Sequence, residues 1–222
     1  MALAFPLTPA QFQETFRIDE LTLDTPGQQE FSQTGGGEVL IRDLAPRLWR
    51  GRVSVSNYRF DCGAGIRAKI DILRRPGASF LFYDPRKPYP ADDPLGIKIN
   101  GWGQTPQLRA VAANRRDIAL GGLPANYKLS PGDYISFTYG TAPVRYAMHQ
   151  VVTGVTAPGT AGNTTASFEV TPPIREGYAL NASVRVSKAI FKAVLLPNTF
   201  EGGTLTEMAR TGMTFEFIQT LR

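Results

Sequence analysis

Two hydrophobic periods alternate along the chain, and the stretch from Trp49 to Pro90 contains both. Val53 and Val55 alternate with Arg52, Ser54 and Ser56, the period of a half-buried strand. Cys62, Ile66, Ile70 and Leu73 then recur every three or four residues, while Arg67, Asp71, Arg74 and Arg75 take other faces. This predicts a helix from Ala64 to Arg75 with Ile66, Ile70 and Leu73 in a core. Gly65 costs helix propensity and argues for a start at Ile66. Pro76-Gly77 stops the helix, SFLFY at 79–83 returns to strand, and Asp84-Pro85 ends it. A short helix between strands predicts a helix laid against a sheet.

Elsewhere the period is two. FRIDELTLD alternates through Phe16, Ile18, Leu21 and Leu23, with a slip at Glu20 that reads as a bulge or a turn. Residues 28–34, rich in Gln, Ser and Thr, predict a flexible loop before the break at Gly35-Gly36-Gly37, and EVLI at 38–41 a short strand. QLRAVAANRRDIALGGL at 107–123 predicts a hairpin turning at Asn114 to Asp117. From Leu129 the pattern is most regular. Pro131-Gly132-Asp133 feeds a strand from Tyr134 to Tyr139 with Ile135, Phe137 and Tyr139 on one face. VRYAMHQVV and Ser167 to Thr171 complete an antiparallel meander of barrel-like type. The last strand, MTFEFIQTLR, sets Met213, Phe215 and Phe217 on one face and pins the C-terminus in a sheet.

These elements predict a mainly β protein: a β-sandwich carrying one packed helix, plus a small antiparallel meander or barrel-like module. The boundaries expected are 1–127 for the sandwich, 128–177 for the module, and 178–222 for strands returning to the first sheet. Gly and Pro make up about 18% of the chain, above the roughly 12% of an average protein. Without a strict period that excess signals tight turns. No apolar stretch approaches 18 residues, so a membrane-spanning helix is excluded from the sequence reading. MALAFPLTPAQF lacks the basic start and apolar run of a signal peptide. Cys62, the only cysteine, has no internal disulfide partner and is expected as a buried, reduced thiol.

Charge divides the chain. Residues 1–45 hold two Arg against seven acids, a net of −5, and residues 46–118 hold fourteen Lys or Arg against six Asp, a net of +8. An acidic end and a basic middle suit packing between copies. The excursion DPRKPYPADDPLG, with four prolines in thirteen residues, is either a clamp over its own domain or an arm reaching a neighbour. In the arm reading Arg86, Lys87 and Tyr89 are contacts between subunits. Arg115 and Arg116, at the hairpin turn, are candidates for the same role. Asp92-Asp93 makes a poor calcium loop, with too few spaced oxygens. Trp102, between glycines in GWGQTP, is either a packed turn or a platform for sugar.

Catalytic chemistry finds no foothold. His149 is the only histidine and sits inside a strand, Cys62 is the only thiol, and no nucleophile elbow or phosphate loop is present. The sequence therefore reads as a non-enzyme with no catalytic, cofactor or metal residue assigned.

Trp49 through the helix to FLFYDPRKPYP, then LSPGDYISFTYG, RYAMHQVVTGVTA and FEVTPPIREG, together resemble the distal tail or minor tail proteins of long-tailed phages and prophages. The resemblance spans roughly residues 47–200. It implies a β-sandwich related to tail-tube subunits with one packed helix, in a homo-oligomeric ring of six at the junction of tail tube and baseplate. Its partners would be the tube protein and the hub or other tail-tip proteins, with DNA only passing through the channel. The location implied is the virion, after assembly in the host cytoplasm, with no membrane contact. In this family the N-terminal segment and a long loop commonly touch ring neighbours. A carbohydrate-binding module built on Trp102 is the alternative reading, and a polysaccharide-degrading enzyme a third.

Overall fold

The computed structural model describes residues 3–205 and 209–222, with the side chains of residues 60–62 and 210 left aside. The strands are β1 (Ile18–Asp24), β2 (Gln28–Gln33), β3 (Val39–Ala45), β4 (Arg50–Val55), β5 (Tyr58–Arg59) and β6 (Phe80–Phe82), with helix α1 (Phe60–Leu73) before β6. A short helix α2 (Ile97–Asn100) precedes β7 (Gln107–Val111), β8 (Asp117–Gly121), β9 (Lys128–Leu129), β10 (Tyr134–Tyr139) and β11 (Arg145–Val151). The remaining strands are β12 (Val155–Thr156), β13 (Phe168–Thr171), β14 (Val184–Arg185), β15 (Phe191–Leu195), β16 (Glu201–Leu205) and β17 (Ala209–Gln219). The protein is thus mainly β, with one long helix.

The chain forms two compact units, residues 1–80 with 193–220 and residues 81–192 with 221–222. The division differs from the expected one at 127/128. The hairpin 107–121 belongs with the meander rather than with the first unit, because β8 pairs β13. Strands β6 and β15 carry the chain across the boundary.

In the first unit the sheet runs β1-β4-β17-β15-β6, with β5 and β16 extending along the N-terminal half of β17. The slip at Glu20 is a bulge, since the β1–β4 register shifts between Ile18 and Glu20. The inner face buries Leu21, Val53, Val55, Met213, Phe215 and Phe217. Phe12 and Phe16, from the chain's start, meet Phe215 edge-on or tilted, and Phe80 meets Phe217. Gly51 faces Phe217 across the β4–β17 ladder, where a Cβ would overlap the phenyl ring. Helix α1 buries Ile66, Ile70 and Leu73 as its period predicted. It begins at Phe60, however, a full turn before Ala64, and ends at Leu73. Gly65, exposed and on the helix's outer side with nothing near its Cβ position, does not set the start.

The second unit is a six-stranded sheet, β14-β10-β11-β13-β8-β7, that closes almost into a barrel. Closure is made by Gln107 bridging Ser183, with Leu108 N–H donating to the Ala182 carbonyl at 3.0 Å and Val184 N–H to the Pro106 carbonyl at 2.8 Å. Every second side chain points inward, so Leu108, Ile118, Leu120, Ile135, Phe137, Val170 and Val184 fill one core. Strands β10, β11 and β13 are the meander read from the sequence. On the other face of β10 Ser136 is buried too, its hydroxyl accepting the Ile190 N–H at 3.0 Å.

Candidate interaction site

Among the described residues, strands β2 and β3 pair only with each other. Residues 28–33, expected as a loop, are therefore a strand. The turn closing the ribbon is held by Thr34, whose N–H donates to the Glu38 carbonyl at 2.9 Å and whose hydroxyl accepts the Glu38 N–H at 3.1 Å. Gly37 takes φ +84°, a left-handed value that favours glycine there. Phe31 stands opposite Ile41 and Gln33 opposite Val39, so three apolar side chains share one face. Leu40 occupies the other face, with Glu30 opposite Arg42, and Leu44 sits at the register shift between Gln28 and Gln29. These side chains are largely open among the described residues: Phe31 is 64% exposed, Ile41 61% and Leu44 63%. An isolated two-stranded ribbon is marginally stable in water, and a contiguous exposed apolar patch marks a contact surface.

The Pro-rich segment after β6 is a clamp on its own unit. Asp133, fully buried, accepts the Ala91 N–H at 3.0 Å, the Ser130 N–H at 2.7 Å and the Lys87 ammonium at 2.9 Å. Asp93 is buried as well, and accepts the Ile99 N–H at 3.1 Å, the Lys98 N–H at 3.3 Å and the Tyr127 hydroxyl at 3.4 Å. Burial first, then the Asp93 charge, raises the Tyr127 phenol well above its ordinary value and keeps it a donor. The exposed Asp92 accepts the Ser130 hydroxyl at 2.5 Å and lies 3.6 Å from Lys128. The Ser130 hydrogen bond, with Lys128 and Lys98 adding to it, holds its carboxyl below the usual range. All three carboxylates are engaged by the protein's own donors.

Of the arm candidates, Lys87 is thus bound to Asp133. Arg86 folds back on Asp84, its Nε at 3.0 Å and Nη2 at 2.9 Å from the carboxylate, and that hydrogen-bonded pair raises the guanidinium's pKa. Tyr89 is half-buried against Gly96, whose φ of +67° and missing Cβ let the ring approach. Arg115 takes φ +57° at the β7–β8 turn and pairs with Glu176 at 2.8 Å, while Arg116 is exposed beside it. The structure therefore brings Arg86, Lys87 and Tyr89 together on one segment and leaves the Arg115–Arg116 turn separate from it in the chain.

Trp102 is a packed turn. Its indole N–H donates to the Gly122 carbonyl at 2.9 Å, and the side chain is only partly exposed. His149 is buried on β11, its Nδ1 at 2.6 Å from the Pro172 carbonyl and its ring stacked on Phe137 with centroids 5.4 Å apart. Its Nε2 has no hydrogen-bond partner among the described residues. Burial pushes its pKa down to about 4. The Cys62 side chain lies outside the described residues, so the expected buried thiol stands as an expectation. Sequence reading passed over Phe31, Leu44, Leu95 and Ile97, all exposed and apolar. Residues 28–33 hold one apolar residue, Phe31, among five polar ones, so no alternation marks this strand in the sequence. No protein-family model matches the chain, and no curated protein matches it.

Proposed function

We propose that the chain is a structural, ring-forming subunit of a phage tail tip, joining the tail tube to the proteins below it. The observation that carries this reading is the β2–β3 ribbon, which displays Phe31, Val39 and Ile41 on one face, all exposed among the described residues. Such a surface is satisfied by another subunit. The acidic first 45 residues and the basic stretch that follows supply the opposite charges that repeated head-to-tail contacts use. The engagement of the indole N–H of Trp102 with Gly122 weighs against the sugar-platform alternative.

Native mass spectrometry of the purified chain tests assembly, and gold-labelled antibody on tail particles tests location. A closed oligomer, six copies by the family resemblance, with label at the distal end of the tail is the expected result. A monomer at all concentrations, or label absent from tails, overturns the reading.

A further inference from the structure

A heterologous ring needs a second surface to receive the ribbon. The turn between Asp93 and Ile99 supplies an unusual one. Leu95 is 71% exposed and Ile97 68% exposed, yet the backbone beneath them is fixed. Gly96 N–H donates to the Asp93 carbonyl at 2.8 Å, and the buried Asp93 carboxylate holds the N–H groups of Lys98 and Ile99. Below Gly96 lies the Tyr89 ring. Asp93 is itself tied to Tyr127 of the barrel core. Two large apolar side chains are thus held out to water on a braced support. A group already ordered loses little freedom on binding, which is how contact residues become strong anchors.

We infer that this Leu95–Ile97 knuckle is the docking site for the β2–β3 ribbon of a second copy of the chain, a proposal that rests on the ring reading above. Charge complementarity selects that occupant. The ribbon, residues 28–45, bears Glu30, Glu38 and Asp43 against Arg42, a net of −2. At the knuckle the exposed charges are Lys98 and Lys128 against Asp92, while Asp93 is turned inward onto backbone donors. Apolar residues meet apolar residues, and a negative rim meets a positive one. Phe31, Val39 and Ile41 lie together on one face of the ribbon, and docking there gives it the burial it lacks alone.

The experiment uses two full-length variants with exposed substitutions only, Phe31→Ser/Ile41→Ser and Leu95→Ser/Ile97→Ser, with circular dichroism confirming that both fold. Each variant alone should sediment as a monomer. Mixed, they should give a one-to-one heterodimer, because the intact ribbon of one fits the intact knuckle of the other and no further contact is left. Lys98→Glu should weaken assembly at least tenfold at low salt, and Glu38→Lys/Asp43→Lys in the neighbouring copy should restore it. A mixture that stays monomeric, or a Leu95→Ser/Ile97→Ser variant that still closes rings, overturns the knuckle assignment while the ring reading stands. A monomeric parent protein removes both.

Discussion

Asp133→Ala should unfold the second unit far more readily than its position in a surface turn suggests. The carboxylate is fully buried and carries three donors. Hydrogen bonds to a charged acceptor contribute about 1.5–3 kcal/mol each, and a buried donor left unpaired costs about 1–3 kcal/mol. The Ser130 amide is partly buried, so its loss costs about 2 kcal/mol. Ala91 is exposed and its amide regains water, leaving about 1 kcal/mol. Lys87 is 31% exposed in its side chain, and its ion pair is discounted to about 1 kcal/mol for solvent screening. The total is about 4 kcal/mol. With a urea m-value of about 1.5 kcal/mol/M for a unit of this size, the midpoint falls by about 2–3 M.

The companion variant decides the mechanism. Lys87→Ala removes only the ion pair and should cost about 1 kcal/mol. Hydrogen exchange read peptide by peptide follows the two units separately, and Asp133→Ala should release the amides of 88–93 and 128–132 first. If both variants cost the same, the carboxylate acts through the lysine and not through the backbone. If Asp133→Ala moves the midpoint by less than about 0.5 M, the clamp is not what secures this turn.

Ile70→Ala should cost about 2–5 kcal/mol in urea titration of the first unit, since the side chain is fully buried under α1. Gly51→Ala should destabilise the same unit by about 1–3 kcal/mol, because the new methyl group meets the Phe217 ring and neither strand is free to move away. For His149 the folded-state pKa of about 4 lies below the ordinary 6.5, so the folded state binds fewer protons than the unfolded one. Its contribution is complete above pH 6.5 and falls by about 3 kcal/mol as pH drops to about 4. Urea midpoints at pH 7 and pH 4.5 should converge in His149→Phe relative to the parent protein.

The parts that were legible in the sequence are those whose pattern reports burial on one face. Ile66, Ile70 and Leu73 announced α1, and Ile135, Phe137 and Tyr139 announced β10, because a core on one side imposes the period. The start of α1 was not legible, since Phe60 to Gly63 carries no helix signal strong enough to outweigh Gly65. Barrel closure was hidden because Gln107 and Ser183, which bridge the gap, are polar residues 76 positions apart. From its residues the Pro-rich segment reads as an arm to a neighbour sooner than as a clamp on its own domain. What separates them is Asp133, 42 residues beyond Ala91, and a lone Asp in a Pro-Gly-Asp turn looks like turn chemistry. The ribbon was hidden for the opposite reason. A strand with no core beside it has no polar-apolar contrast to enforce, so QQEFSQ reads as loop while it pairs over its full length.

The clamp and the ribbon meet the same requirement by different means. Each is a long excursion whose backbone polar groups need partners. The clamp takes them from buried carboxylates of its own unit, so its order is set when that unit folds. The ribbon takes them from its own two strands, which satisfies hydrogen bonding and leaves the apolar side chains in water. Hydrogen bonds exchanged with water contribute little net stability, so the ribbon's order depends on whatever covers Phe31, Val39 and Ile41. Under the assembly proposed here, folding of the ribbon and closure of the ring are one linked equilibrium. On that proposal the two compact units fold in the monomer, and the ribbon is an element whose order a neighbour completes.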